Sequence, residues 1–309
     1  MLRRDVALTC GAHPLPDFAG RVAIVTGAGK GLGRAYARLL AASGASVVVN
    51  NRVNAGEESA GSADLVVEEI RQAGGVAAAD YRDAADPDAG ARMVEAALDH
   101  FGRLDILIAN AGVNESIAFR NQRLDEFRRV MEINFFGTLS ISHAAYRVMY
   151  GAGYGRILLT TSTAGLYGGT GLPAYSASKA AVIGLMRALS LEGARAGVLV
   201  NAIAPYATTQ MTADLTPAAW HAPFDPARVA PVAAWLVSEG LRRSGEIIVT
   251  GGGALRLARM TESASVRLPE DDSSLEPLLA SLGASGEFRP MLSAQAEFAE
   301  FASSLGLSP

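Results

Sequence analysis

The sequence predicts a doubly wound α/β fold, in which a seven-stranded parallel sheet carries helices on both faces. Two patterns predict it. Apolar, β-branched runs without polar alternation recur along the chain, as expected for strands that are buried on both faces, and stretches of helical period lie between them. A glycine-rich turn joins the first of these runs to the first helical stretch. Half of the 309 residues are hydrophobic, which is enough for a large core.

Each strand is assigned from a buried apolar run and each helix from the stretch that follows it. The predicted strands are residues 22–26, 46–50, 76–80, 104–109, 157–162, 198–203 and 247–250. The predicted helices are residues 32–42, 63–73, 89–101, 125–149, 175–195 and 228–238. In such a fold, ligands bind at the carboxyl ends of the strands, so that edge of the sheet is where we expect a site.

Two segments lie outside this domain, which we assign to residues 21–257. Residues 1–20 form a polar arm that is expected to be extended on the surface. Residues 258–309 form a helical C-terminal extension, because two apolar stripes share helical faces there. We expect two short helices that dock onto the sheet domain or a neighbouring subunit, as a structural clamp or as a lid over the substrate. The stripes consist of Leu275, Leu278, Leu279 and Leu282, and of Met291, Ala294, Phe298, Phe301 and Leu305.

Composition narrows the class of partner. The net charge is −4 and there is no basic stripe, which argues against nucleic acid and anionic membranes. No apolar run reaches the length of a membrane helix, and the first residues lack the apolar core of a signal peptide. The single cysteine, Cys10, and the scattered histidines show no metal-binding spacing. We therefore expect a metal-free, cytoplasmic protein that acts on a small molecule.

The glycine-rich turn is typical of a phosphate-binding site. Glycines allow a tight turn and let a pyrophosphate approach the N-terminus of a helix, where unpaired N–H groups favour anions. The same turn also occurs between a strand and a helix without any ligand. The candidate cofactor-binding residues of this turn are Thr26, Gly27, Gly29, Lys30, Gly31, Leu32 and Gly33.

Tyr175 and Lys179 lie four residues apart in a predicted helix and therefore on one of its faces. Lys30 and Lys179 are the only lysines among 27 basic residues, so the sequence uses an amine at few positions. A phenol has a pKa of about 10 and is a weak base at neutral pH, but a fixed ammonium nearby favours the phenolate. The pair is thus a candidate for proton transfer, unless it is an exposed pair on a solvated face.

Together with Asn110-Ala111-Gly112, Asn134 and Ser162, these motifs resemble those of the short-chain dehydrogenase/reductase family over residues 20–257. The resemblance implies a Rossmann fold and an NAD(P)-dependent oxidoreductase that interconverts a secondary alcohol and a ketone. It implies that Tyr175 is the general acid and base, that Lys179 holds the nicotinamide ribose, that Ser162 orients the substrate carbonyl and that Asn134 anchors a water. It also implies further cofactor contacts at Asn51, Arg52, Asp80, Tyr81, Asn110, Ala111, Gly112, Pro205 and Thr208.

A narrower resemblance is to the (3R)-hydroxyacyl-CoA dehydrogenase part of the peroxisomal multifunctional enzymes of type 2, carried by the residues around the glycine turn and by Tyr154-Gly155-Arg156-Ile157. It implies a 3-hydroxyacyl or 3-oxoacyl thioester as substrate. The family usually has Pro-Gly after the sixth strand, whereas this sequence has Pro205-Tyr206. Tyr206 and Met211 are therefore candidate substrate residues, although Tyr206 could equally be a packed surface residue.

Two other functions stay open at this point. Loop changes around one site allow this fold many substrates, so a hydroxysteroid or another bulky cyclic alcohol is an alternative. The other is a catalytically silent protein that binds the cofactor as a sensor or an assembly partner. The intact set of catalytic residue types argues against the silent protein.

The choice of cofactor depends on the end of the second strand. Enzymes of this fold that use NAD carry an acidic residue there, which binds the ribose hydroxyls and repels a 2′-phosphate. This chain instead has Asn50-Asn51-Arg52, with Lys30 in the glycine turn. We expect NADP(H) to be favoured, with NAD(H) possible because Glu57 and Glu58 could neutralise Arg52.

The resemblance also implies a homodimer or homotetramer. In the family, the long helices that correspond to residues 125–149 and 175–195 pair with their copies in a second subunit. Small residues on both segments would allow close approach; these are Ala144, Ala145, Ala180 and Ala181.

Overall fold

The structure is a computed structural model that describes residues 15–53, 62–210, 217–266 and 288–304, with single positions at 268, 277, 280, 282 and 286. Several predictions fall outside these residues: those for the arm up to residue 14 with Cys10, for Glu57 and Glu58, for Met211 and for most of the 275–282 stripe. The chain forms two compact units, Met1–Arg256 and Leu257–Pro309.

The first unit contains an eight-stranded sheet with the order β3-β2-β1-β4-β5-β6-β7-β8. Strands β1 to β7 pair in parallel, and the order turns back on itself next to β1, as in a doubly wound fold. The predicted fold class is therefore confirmed. The strands are β1 Val22–Val25, β2 Ser46–Asn50, β3 Val76–Asp80, β4 Ile106–Ala109, β5 Gly155–Thr160, β6 Val198–Pro205, β7 Ile247–Gly251 and β8 Ala254–Ala258.

Helices cover the sheet in two layers. Helices α1, α2 and α8 pack together around one buried cluster, whereas α3 and α7 both contact α5 in the other layer. The helices of this unit are α1 Gly31–Ala42, α2 Ser62–Gln72, α3 Ala89–Phe101, α4 Leu124–Met131, α5 Gly137–Ala152, α6 Thr163–Tyr167, α7 Pro173–Gly193 and α8 Ala230–Leu236. Among the described helices, none is both long and apolar enough to cross a bilayer.

The core explains the uninterrupted apolar runs of the sequence. All residues of β1, β4 and β5 are buried, because helices cover both faces of the sheet. Phe18 is also buried, with 1% of its surface exposed, and its N–H donates to the Ser43 carbonyl at 2.8 Å. Its assignment to a surface arm was therefore wrong, because the apolar ring of Phe18 packs into the core.

Strand β8 was not predicted, since the sequence indicated seven strands. It follows β7 after Gly252 and Gly253, which have φ angles of 60° and 80° and form the tight turn of a hairpin. The glycine run is therefore a turn that ends one strand and starts the next. The new strand was missed because four of its five residues are exposed, so the apolar signature of the other strands is absent.

The predicted helix at residues 125–149 is divided. Helix α4 ends at Met131, a π-helical turn spans Glu132–Phe136, and α5 begins at Gly137. A wider turn of this kind shifts the side chains without ending the helix, so an apolar period cannot reveal it. Helix α6 was not predicted either, because five residues are too few to show a period.

In the second unit, strands β9 Thr261–Ser263 and β10 Phe288–Pro290 pair in antiparallel fashion, and helix α9 Ala294–Ser304 follows. Helix α9 lies within the predicted 291–305 stripe, whereas the small sheet was not predicted. Phe298 and Phe301 are 70% and 49% exposed in the single chain, so the burial expected of these two rings is not observed there.

Candidate active site

The glycine-rich turn lies at the carboxyl end of β1 and leads into α1. Gly27 and Gly31 have φ angles of 63° and 53°, which side chains other than glycine rarely adopt. A Cβ atom on Gly33 would lie 2.2 Å from the Gly27 carbonyl oxygen, so the helix could not start so close to the turn with any other residue. Glycine is therefore required by the backbone itself.

Thr26 links this turn to the end of β4. Its Oγ1 accepts hydrogen bonds from the N–H groups of Asn110 and Ala111 at 2.9 and 3.0 Å, and the Asn110 Nδ2 donates to the Thr26 carbonyl at 3.1 Å. The two strand ends thus form one rigid floor. A cavity of about 190 Å³ lies on this floor, lined by Gly27, Lys30, Gly31, Leu32, Asn51, Asn110, Ala111, Gly112, Thr209 and Gln210.

These residues fit a dinucleotide. The glycine turn presents open backbone at the N-terminus of α1, where a pyrophosphate is favoured. After Pro205 ends β6, the buried Thr208 hydroxyl has no hydrogen-bond partner among the described residues, and it could bond to a bound cofactor. A Cβ atom on Gly112 would lie 3.4 Å from the Lys179 Nζ, so a side chain there would intrude between the floor and the lysine.

The buried carboxylate of Asp80 connects the carboxyl ends of β2 and β3. The Asp80 Oδ1 accepts from the Asn50 Nδ2 at 2.8 Å and from the Arg82 N–H at 3.1 Å, and its other oxygen pairs with the Arg82 guanidinium. Tyr81, next to it, is exposed and donates its phenol proton to Asp64 at 2.5 Å. Sequence reasoning missed Arg82, although it lies two residues from Asp80, and the role of Asn50, which lies 30 positions away.

Arg52 also has an acidic partner. Its Nη1 lies 3.1 Å from the Asp83 Oδ2, and both residues line a second cavity of about 100 Å³ together with Asn51 and Arg82. The Asn51 Nδ2 donates to the Ser62 hydroxyl at 2.6 Å. The end of β2 thus carries no acid of its own, but an acid from the segment after β3 reaches Arg52. From the sequence, the acids expected to neutralise Arg52 were Glu57 and Glu58.

Tyr175 and Lys179 lie on one face of α7, as expected for their spacing. Lys179 is only 3% exposed, and its Nζ donates to the Thr160 carbonyl at 2.9 Å. The Nζ lies 5.7 Å from the centre of the Tyr175 ring. Burial lowers the pKa of the Lys179 ammonium to about 8, because the charged form loses solvation. The pair is therefore enclosed rather than solvated.

The Tyr175 phenol differs from the sequence-based expectation of a favoured phenolate. Burial raises its pKa, and a hydrogen bond with the Ser162 hydroxyl opposes that shift only in part. The physical reason is that loss of solvation disfavours the phenolate, whereas the nearby ammonium directs its hydrogen bond to the Thr160 carbonyl. At neutral pH, the protein alone therefore holds Tyr175 as a neutral phenol, the form that can donate a proton.

Asn134 lies in the π-helical turn and is fully buried, whereas an asparagine inside a helix more often points to water. Its side chain exchanges two hydrogen bonds with the Val113 backbone, at 2.8 and 2.9 Å, and its Nδ2 donates to the Ser178 hydroxyl at 3.1 Å. The Ser178 hydroxyl in turn donates to the Tyr175 carbonyl at 2.8 Å. Ser178 is thus a further site residue that the sequence analysis did not single out, although it lies within the Tyr-Ser-Ala-Ser-Lys motif.

Ser162 caps the N-terminus of α6, where its Oγ accepts from the Ala164 N–H at 3.1 Å. Tyr206 follows β6, and its phenol donates to the Thr163 Oγ1 at 3.1 Å. The structure therefore brings Ser162, Tyr175 and Lys179 together, with Asn134 joined to them through Ser178. Met211 lies outside the described residues. Within the described part of the chain, no group of three His, Cys, Asp or Glu side chains could hold a metal ion.

Comparison with known proteins gives a family match and close relatives. The model of the family described as short chain dehydrogenase matches residues 21–220. A protein of Mycobacterium tuberculosis named as a short-chain type dehydrogenase/reductase is 40% identical over 245 residues, which cover 78% of this chain and 86% of the relative. The crystal structure of a short chain dehydrogenase from Mycobacterium avium has a TM-score of 0.79 and 35% sequence identity, and the match covers 89% of this chain and 98% of that one.

A second kind of relative is longer. The peroxisomal multifunctional enzyme type 2 of Drosophila melanogaster is 39% identical over 259 residues, which cover 82% of this chain but 43% of the relative. The chain thus spans less than half the length of that multifunctional relative. This similarity confirms the narrower resemblance found in the sequence. The rest of the relative lies outside the match.

Proposed function

The chain belongs to the short-chain dehydrogenase family and is an oxidoreductase of that family with NAD(P)(H) as cofactor; from this premise we propose that it interconverts a secondary alcohol and a ketone at Ser162 and Tyr175. One observation carries the proposal. Tyr175 is partly buried, its phenol is hydrogen-bonded to the Ser162 hydroxyl, and its ring faces the buried ammonium of Lys179, which has almost no solvent to stabilise it. Such an arrangement is costly and is typical of a site for proton transfer.

Reduction of a ketone adds a hydride to the carbon and a proton to the oxygen. When bound, the nicotinamide cofactor supplies or accepts the hydride. Tyr175 donates the proton from its neutral phenol, and the Ser162 hydroxyl donates a second hydrogen bond that holds the carbonyl oxygen in place. In the direction of oxidation, the phenolate form of Tyr175 receives the proton of the alcohol, and the Ser162 hydroxyl orients the alcohol.

Lys179 and Asn134 support this step in different ways. The Lys179 ammonium stabilises the phenolate that forms when Tyr175 gives up its proton, and it would bind the ribose of the cofactor. Both Nδ2 protons of Asn134 are used, by the Val113 carbonyl and the Ser178 hydroxyl, and its Oδ1 accepts from the Val113 N–H. The backbone carbonyl oxygen of Asn134 accepts from the Thr138 hydroxyl at 2.8 Å and has a second lone pair, which could bind the water that returns protons to Tyr175.

The substrate that we propose is a 3-hydroxyacyl or 3-oxoacyl thioester. Support comes from the resemblance to the dehydrogenase part of the type 2 multifunctional enzymes and from the identity of 39% with one of them. Ligands of this fold bind at the carboxyl edge of the sheet, where Ser162 lies, and a long substrate is compatible with that position.

NADP(H) is the proposed preferred cofactor. The end of β2 offers Asn51 and Arg52 rather than an acid, and Arg82 lines the same cavity of about 100 Å³. Two guanidinium groups could bind a 2′-phosphate there. NAD(H) stays possible, because Asp83 pairs with Arg52 and would partly repel that phosphate. A cytoplasmic location and a homodimer or homotetramer complete the proposal.

The experiment is a screen of acyl thioester, fused-ring and aromatic ketones with NADPH and with NADH. We expect turnover of 3-oxoacyl thioesters, with a higher kcat/KM for NADPH. Oxidation of the matching 3-hydroxyacyl thioesters with the oxidised cofactors checks the reverse direction. A chain that binds the cofactor tightly but reduces none of these ketones would contradict the proposed activity.

A further inference from the structure

Thr163 and Tyr206 connect the two segments that flank Ser162. Thr163 is the first residue of α6 and follows Ser162 directly, whereas Tyr206 directly follows β6. Their hydrogen bond, from the phenol to the Thr163 Oγ1 at 3.1 Å, joins the two segments. Because β5 and β6 are neighbouring parallel strands, the bond connects the segments that follow their carboxyl ends, next to Ser162.

Tyr206 is fixed by three contacts rather than by one. Its N–H donates to the Thr250 carbonyl at 2.7 Å. A Cβ atom on Gly251 would lie 2.5 Å from the Tyr206 carbonyl oxygen and 2.6 Å from its Cβ, so Tyr206 occupies the space that Gly251 leaves free. With the phenol held by Thr163, the ring cannot turn away without loss of that hydrogen bond. Half of the residue nevertheless remains exposed to solvent.

The consequence concerns the width of the site. Thr163 directly follows Ser162, so the Tyr206–Thr163 bond lies beside the residue that would hold the ketone oxygen, and a substituent that extends to that side would meet the phenol ring. An aromatic ring presents an apolar face to a methylene chain. A fused-ring ketone is wider than a chain and would have to displace the ring and break its hydrogen bond.

We propose that Tyr206, held by Thr163, is a specificity-determining residue that admits unbranched 3-oxoacyl chains and excludes fused-ring ketones. This inference rests on the proposed reduction of ketones at Ser162 and Tyr175. It selects one of the two substrate classes that the sequence left open. The hydrogen bond acts on the width of the site and takes no part in the transfer of the proton or the hydride.

The experiment compares kcat/KM for a linear 3-oxoacyl thioester with kcat/KM for a fused-ring ketone, in the wild type and in three variants. Tyr206→Gly removes the ring, while Thr163→Val removes only the acceptor of its hydrogen bond. Trp235→Ala, an exposed aromatic residue on α8, is the matched control. Cofactor affinity by fluorescence titration and the melting temperature show that each variant is folded.

We expect the wild type to have the higher kcat/KM for the linear substrate. Tyr206→Gly should shift the ratio of the two kcat/KM values towards the fused-ring ketone by about tenfold or more, and Thr163→Val should shift it the same way by less. Trp235→Ala should leave the ratio unchanged. If Tyr206→Gly does not fold, the ratio for Thr163→Val decides. An unchanged ratio in folded variants would overturn the inference and leave the proposed reduction intact. A wild type that reduces neither ketone would instead overturn the proposed function, and the inference with it.

Discussion

Lys179 is a buried cation, and the free energy that is lost by burying this single charge can be measured. Its pKa of about 8 in the folded chain lies below the value of about 10.4 expected after unfolding. Below pH 8 the folded state bears the full cost of burying the charge. Between these pKa values the unfolded state binds more protons, so the stability of the wild type rises with pH.

We expect Lys179→Met to raise the free energy of unfolding at about pH 7, by up to about 3 kcal/mol, while it abolishes turnover. The gain should shrink towards pH 10, because the wild type then buries a neutral amine. Thermal melts over this pH range measure the effect, with Lys30→Met as the matched control at an exposed position. A variant that is less stable than the wild type by the same amount at every pH would contradict the argument.

A second prediction at the scale of residues concerns cofactor choice. Asn51→Asp combined with Arg52→Ala should shift the ratio of the NADP and NAD dissociation constants towards NAD by about tenfold or more, since it adds an acid and removes a guanidinium. Asp83→Asn should shift the ratio the opposite way, because it releases Arg52 from its ion pair at 3.1 Å. Fluorescence titration with both cofactors measures each ratio. A wild type that clearly prefers NAD would show that the proposed preference is wrong.

At the scale of elements, the turn between β1 and α1 depends on the absence of a side chain at Gly33. Gly33→Ala should lower the melting temperature and weaken cofactor binding, because the new Cβ would lie 2.2 Å from the Gly27 carbonyl oxygen and 2.8 Å from the Ala28 Cα. Gly151→Ala is the matched control. It lies in α5 with no atom within 4 Å of the added Cβ, so it should be neutral or stabilise by up to about 1 kcal/mol. Equal behaviour of the two variants would refute this role of the turn.

The elements that were predictable are those with a local signature. Strands β2 and β3 and helix α3 begin and end at the predicted residues, because apolar runs and helical period act over a few neighbouring positions. The π-helical turn and α6 have no such signature. Strand β8 is mostly exposed and lacks the apolar run that marks the other strands.

The same distinction holds for the candidate site. The glycine turn and the Tyr175–Lys179 pair depend on spacings of a few residues and are visible in one sequence. The ion pair of Arg52 with Asp83 joins residues 31 positions apart, and the bond of Tyr206 with Thr163 joins residues 43 positions apart. Contacts of this kind depend on how the strands are ordered in the sheet, and a single sequence does not specify that order pair by pair.

At the scale of the whole molecule, we expect at least a dimer. Helices α5 and α7 carry exposed apolar residues in the single chain, among them Tyr150 and Leu191, which a second copy could cover. Light scattering at micromolar concentration should give at least twice the chain mass of 32.0 kDa. Leu191→Glu should lower that mass, whereas Leu65→Glu on α2, a comparably exposed leucine, should not. A wild-type mass of one chain would count against the assembly.

The fold positions Tyr175 to transfer one proton, and the turnover of Tyr175→Phe with a 3-oxoacyl thioester and NADPH measures that role. The variant keeps the ring and removes only the hydroxyl that meets Ser162. We predict a loss of about 10² to 10⁴ in kcat with an unchanged dissociation constant for the cofactor. Turnover close to that of the wild type, measured under the same conditions, would show that Tyr175 does not transfer the proton.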